Sequence, residues 1–303
     1  MKIRIITSVL IAFCSVSLIA QEQGQRLKPL EEFTIMNLSY TTYGETEFKE
    51  NAQIGEVAFT EFRLALAFPK LLKNKKTVLI NGLEFTNLKP EFSSETPNSS
   101  PITKNFYSIA YRFGVINPLG SNGWSYSLGL KPTIASDFEE SVSSEDFILQ
   151  ASVLFSKRAN QNFKYGFGLT YSTRFGKKQV LPVVQLVYKR NNWGTYAYLP
   201  AYIAQFYHFN TSKLGLSIRL NGNNYNFMST ANVAGLDLDK LSFSRVNIGP
   251  EYELKLTKSL RLNLNGGITV ASKLDWLNGD GNSELDLSPE NKFFAKIGLK
   301  LMR

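Results

Sequence analysis

Few residues in this sequence could do chemistry, and the sole histidine, His208 in "YHFN", is the first. Hydrolysis would need a nucleophile or carboxylate within reach of its ring. His208 instead stands between Tyr207 and Phe209 beside a short polar turn, and reads as an interfacial ring with no catalytic role. Hard-oxygen ligands come next: "DGNSELD" sets Asp280, Asn282, Glu284 and Asp286 at alternate positions, a candidate surface site for calcium or magnesium. It lacks the sixth-position glycine of the helix-flanked calcium loop, so it reads first as a solvated acidic loop, and no metal or cofactor is expected.

The third set is cationic. Arg63, Arg112, Lys131, Lys164, Arg174, Arg219, Arg245, Arg261, Lys296 and Lys300 share one phase of an alternating pattern, together with Glu61, Glu84, Glu251 and Glu253. Ten cations against four carboxylates would make that face positive. Charged rings at close range select ions by their field, which points to small anionic solutes or anionic ligands. The alternative is that these groups pair with one another and fill an interior that conducts little.

Only strands can hold such an alternating set on one face, because successive strand residues point to opposite sides. The segment "NFKYGFGLTYSTRFG" at 162–176 shows the pattern: Phe163, Tyr165, Phe167, Leu169, Tyr171 and Phe175 alternate with Lys164, Gly166, Gly168, Thr170, Ser172 and Arg174. The same grammar runs through "WSYSLGLKPTI", "FYSIAYRFGV", "KLGLSIRLN" and "SLRLNLNGGITV". Helical periodicity is not found. Strands of roughly 10–15 residues exceed the usual soluble length and suit a tilted bilayer crossing. A small, polar, cationic second face would line a wet lumen better than it would cover a soluble sandwich.

A sheet that spans a bilayer must close, since open edges leave backbone groups unpaired in hydrocarbon. The predicted fold is therefore all-β: a closed antiparallel transmembrane β-barrel of about 14 strands, with 12 as the alternative. Fourteen requires "WGTYAYLPAYIAQFYHF" to turn near Leu199 and Pro200. Connections alternate between short turns and longer, often acidic segments, the pattern of short periplasmic turns and long outer loops. Aromatic residues near strand ends (Trp124, Tyr126, Phe163, Tyr165, Tyr188, Trp193, Phe206, Tyr207, Phe209, Trp276, Phe293 and Phe294) are expected to form girdles at the two interfaces. Pro132, Pro182 and Pro250 resist this reading, because a closed barrel has no edge in which to hide a missing N–H.

The chain has 303 residues, 43% of them hydrophobic and 13% aromatic, which excludes disorder. Its 34 Lys and Arg, less Lys2 and Arg4, leave 32 against 25 Asp and Glu, a formal +7 after the leader is removed. No zinc-finger, helix-turn-helix or RNA-binding signature accompanies that excess, so nucleic acid is not an expected partner. Two cations, an apolar run from Ile5 to Ala20 and an abrupt polar start at Gln21 mark residues 1–20 as a secretory signal peptide. Residues 21–32 follow as a short periplasmic tail, too small for a plug domain, and 33–303 form the barrel. The one cysteine, Cys14, lies in the leader, so disulfides, thiol nucleophiles and thiolate metal sites are excluded from the mature chain.

With a leader ending "SLIAQEQ", with "WGTYAYLPAY" at 193–202, "EYELKLTKSLRLNLNGG" at 251–267 and the alternation at 163–175, the sequence resembles uncharacterised outer-membrane β-barrels of Gram-negative bacteria. It is similar in particular to a family defined only as a domain of unknown function. That resemblance implies the cell outer membrane and its lipid as the setting, and no substrate. The expected protein is non-enzymatic and porin-like, a passive channel with a cation-rich lumen. The alternatives are a surface adhesion or structural barrel with a closed lumen, and a secreted soluble β-sandwich.

Overall fold

The computed structural model describes residues 33–49, 55–93, 104–173, 175–227 and 238–303. The expected signal peptide (1–20), the expected tail (21–32) and Arg174 lie outside the described residues. Alternation produces β1 (Thr34–Glu47), β2 (Glu56–Leu71), β3 (Val78–Ser93), β4 (Phe106–Leu119), β5 (Trp124–Ser136), β6 (Phe147–Arg158), β7 (Phe163–Ser172) and β8 (Gln179–Arg190). It continues through β9 (Trp193–Leu199), β10 (Tyr202–His208), β11 (Ser212–Asn226), β12 (Lys240–Lys255), β13 (Leu260–Leu277), β14 (Ser283–Leu287) and β15 (Lys292–Met302).

Strands β1 to β13 each pair with their sequence neighbours. β15 then pairs with β13 (Leu260↔Leu301) and with β1 (Asn37↔Lys300), which closes the ring. Fourteen strands form the wall, and β14 is a short addition laid on the end of β13 (Leu274↔Leu287). The expected count holds, the 12-strand alternative falls, and the turn at Leu199 and Pro200 separates β9 from β10.

The outer face is the apolar one. Phe167, Leu169, Leu216 and Phe293 are 57%, 52%, 65% and 77% exposed, while the partners alternating with them point inward. In water such a belt would be costly, at about 25 cal/mol per Å² of apolar surface left uncovered; lipid covers it. Closure and a greasy exterior identify an outer-membrane β-barrel and exclude the soluble sandwich. No helix among the described residues is long and apolar enough to cross a membrane.

Pro132, Pro182 and Pro250 sit where the ladder does not need their N–H. Between β4 and β5 the pairing steps from Ala110↔Thr133 to Phe113↔Leu130, and Pro132 falls in the break. Between β12 and β13 it steps from Ile248↔Ile268 to Glu251↔Asn265, skipping Pro250 opposite Gly266 and Gly267. Pro182 pairs with Leu169 on β7, but β9 joins β8 only from Val184 onward.

That last gap has a simple cause: β9 and β10 are only seven residues long each. The ends of β8 (Gln179–Val183) and β11 (Asn221–Tyr225) rise past the hairpin, each paired on one side only. The β7–β8 turn leans across above it. Thr173 Oγ1 donates to Asn223 Oδ1 at 3.3 Å, and Ser242 Oγ donates to the Gly176 carbonyl at 2.6 Å.

Inside the loop-side half of the barrel lies an apolar cluster that includes Tyr43, Phe59, Phe106, Tyr225, Phe243, Trp276 and Phe294. Phe106 packs on Tyr225 with centroids 5.4 Å apart, and Phe227 on Trp276 at 5.2 Å. This corrects the girdle assignment for three rings: Phe206, Trp276 and Phe294 are 2%, 1% and 5% exposed and face inward. Their neighbours Tyr207 and Phe293 keep the outward phase.

The outer loop at 137–146 is also less solvated than its composition suggests. Lys104 Nζ lies 3.0 Å from Asp137 and 2.6 Å from Glu139, and Asp146 accepts from Asn226 Nδ2 at 3.0 Å. Burial alone would lower the Lys104 pKa, but hydrogen bonds and charge from Glu139 and Asp137 outweigh it and hold the ammonium above its ordinary value.

Candidate functional site

Register decides which of the inward cations meet. Glu84 on β3 lies two residues from Gly82, and Gly82 faces Arg112 on β4; Arg63 projects from β2, and Lys131 reaches over from β5. The three cations converge on one carboxylate, with Arg63 at 3.1 Å, Arg112 at 2.9 Å and Lys131 at 3.0 Å from Glu84, whose side chain is 7% exposed. A buried carboxylate is stable as an anion only with such partners, and here it has three.

A second node forms on β12. Glu253 receives Lys300 at 2.7 Å from β15, Arg261 at 3.0 Å from β13 and Lys213 at 3.3 Å from β11. Glu251, one inward step away, has Arg219 at 3.6 Å and accepts from Asn263 Nδ2 at 3.0 Å. Arg219 also stacks over Tyr202, 4.3 Å from the ring centroid. This node floors a cavity of about 320 Å³ at the short-turn rim, lined also by Lys189, Lys255, Tyr196 and His208. His208 shares a hydrogen bond with Tyr196 Oη at 3.3 Å and packs edge-on to Phe206.

The remaining sequence-derived candidates are spread out. Lys164 on β7 pairs across to Arg158 and Val187. Lys296 on β15 stands between Thr41 and Asn265 on the inward face. Arg245 is 2% exposed inside the apolar cluster, away from both nodes. Arg174 lies outside the described residues.

The acidic loop does not gather around a point. Glu284 accepts from Asn278 Nδ2 at 2.7 Å, and Asp286 pairs with Lys273 at 3.2 Å. Among the described residues, no three His, Cys, Asp or Glu side chains group closely enough to hold a metal ion.

Sequence reasoning passed over Lys189, Lys213, Lys255 and Lys292. Parity carried the signal for two of them: Lys213 alternates with Leu214, and Lys292 with the exposed Phe293. Lys189 and Lys255 sit at strand ends, where phase blurs into the turn.

A family model described as "Domain of unknown function (DUF6268)" matches residues 17–279. No curated protein matches the chain. Among solved structures, the chain is similar to an outer membrane channel from Pseudomonas putida F1, at 11% identity and a TM-score of 0.44, with 93% of this chain and 100% of that chain covered. It is also similar to outer membrane phospholipase A from Escherichia coli, at 15% identity and a TM-score of 0.38, covering 90% and 98%. The NanC porin aligns at 10% identity and a TM-score of 0.37, covering 88% and 100%.

Proposed function

We propose that this chain, which belongs to the family described as Domain of unknown function (DUF6268), is a non-enzymatic outer-membrane barrel that passes small anionic solutes through a cation-rich interior. One observation carries the reading. Seven inward cations (Arg63, Arg112, Lys131, Lys213, Arg219, Arg261 and Lys300) share three carboxylates, Glu84, Glu251 and Glu253. Pairing fixes the side chains in place but leaves the field positive, and low-dielectric walls concentrate that field on whatever enters.

The two nodes have different parts. The Glu253 node, with Lys189 and Lys255 around its cavity, gathers anions at the short-turn rim. The Glu84 node carries the positive field along the wall formed by β2 to β5. His208 serves as a wall residue held by Tyr196, with no part in bond breaking. Lipid covers the outer face throughout.

The apolar cluster in the loop-side half favours a second reading, a structural barrel whose bore stays closed. Current across a planar bilayer in a salt gradient separates the two. A reversal potential on the anion side supports passage, whereas folded barrel with no conductance supports the closed form.

A further inference from the structure

The loop-side cluster contains two buried basic side chains that no carboxylate partners. Arg245 and Lys292 are 2% and 4% exposed. Both end on the same ring: the Arg245 guanidinium carbon lies 4.7 Å, and Lys292 Nζ 4.2 Å, from the centroid of Phe59. Arg245 also stacks on Tyr43 at 4.2 Å and on Phe243 at 4.8 Å. Aromatic faces attract a cation but accept no conventional hydrogen bond from it. Arg245 Nε, Arg245 Nη1 and Lys292 Nζ accordingly have no hydrogen-bond partner.

The nearby polar groups are engaged with one another. Asn247 Nδ2 donates to Tyr43 Oη at 3.0 Å, and Thr269 Oγ1 donates to Asn247 Oδ1 at 2.9 Å. Among the described residues, no carboxylate forms an ion pair with either cation, Glu61 on the same face of β2 included. A buried unpaired charge such as the Arg245 guanidinium is among the costliest features a fold can carry, and an amine with no acceptor in the same apolar cage adds to the cost. Water would satisfy the N–H groups but leave the charge. An anion satisfies both.

We propose that Arg245 and Lys292 form a buried site for one small oxyanion, a free phosphate or carboxylate drawn from the barrel interior. Three free donors suit oxygen acceptors, and charge-assisted bonds of this kind are about twice as strong as neutral ones. The bound anion ties β12 to β15 through the cluster and so locks the loop-side half. The site stands apart from permeation, because it makes the same prediction whether the bore conducts or not.

The test uses the full chain folded in detergent micelles, unfolded by urea at constant ionic strength while inorganic phosphate replaces chloride. The wild-type midpoint should rise with phosphate, and in proportion to the logarithm of its concentration once the site fills, as for a ligand that binds only the folded state. Lys292→Met keeps the volume, removes the amine and should lose that dependence or need at least tenfold more phosphate. Arg245→Met should behave likewise, and if it does not fold, Lys292→Met carries the test alone. Lys177→Met, on the exposed β7–β8 turn, should respond as wild type does. Equal phosphate dependence in wild type and Lys292→Met, or none in either, overturns the site. Neither result bears on conductance, so the two proposals fail separately.

Discussion

Lys300 Nζ and Glu253 Oε2 meet at 2.7 Å although β13 lies between their strands. Lys300 shares the carboxylate with Arg261 and Lys213, so four strands, β11, β12, β13 and β15, are joined through one side chain. Charge inside this barrel is therefore part of the wall's construction as well as its field.

Removing the carboxylate should cost more than removing any one cation. Glu253→Gln strands three largely buried cations and should destabilise the folded barrel by about 3 kcal/mol. Lys300→Met leaves Glu253 with two partners and should cost about 1 kcal/mol. Urea unfolding in micelles checks the order; equal losses would mean that the node contributes little.

The assignment of faces predicts opposite outcomes for adjacent residues. Leu169 is 52% exposed on the outer face, and Thr170 donates inward to the Ala151 carbonyl at 3.1 Å. Leu169→Arg should cost about 2–4 kcal/mol near the bilayer midplane, and Thr170→Arg should be tolerated. Equal tolerance in lipid vesicles would contradict the faces.

The loop-side cluster should behave as a protein core. Phe294→Ala, which removes a ring 6.0 Å from that of Tyr43, should destabilise by about 3–5 kcal/mol, while Phe293→Ala on the lipid side should cost much less. If the cluster also narrows the bore, Trp276→Ala should raise single-channel conductance above wild type. An unchanged conductance would place the constriction elsewhere.

Period-two alternation made the barrel, its faces and the hairpin at Leu199 and Pro200 readable, because one strand's phase needs no knowledge of its neighbour. Parity likewise placed Arg63, Arg112, Lys131, Arg219, Arg261 and Lys300 on one face. Which carboxylate each one meets depends on cross-strand register, and a bond such as Lys300 to Glu253 spans a whole strand that alternation cannot count. Composition misled where it was allowed to override phase: Phe294 follows the outward Phe293 and so had to point inward, yet its aromatic character suggested a lipid girdle. The loop at 137–146 is likewise less open than its acidic composition suggests, since Asp137 and Asp146 are buried by partners distant in sequence.

Outer-loop stability should depend on pH through Lys104. Its folded-state pKa is raised, so its contribution is fully present below the unfolded lysine value and is lost as pH climbs through the folded one. Unfolding midpoints of wild type and Lys104→Met, separated at about pH 8, should converge only above the ordinary lysine value of about 10.4. A separation that stays constant to the highest workable pH would remove Lys104 from the account.

The reversal potential of the wild-type barrel in a potassium chloride gradient tests the central claim most directly. The surplus of inward cations over Glu84, Glu251 and Glu253 predicts a potential displaced toward chloride, and a smaller displacement when Arg261→Gln and Lys213→Gln are combined. Potassium preference, or a folded barrel that carries no current, would contradict it.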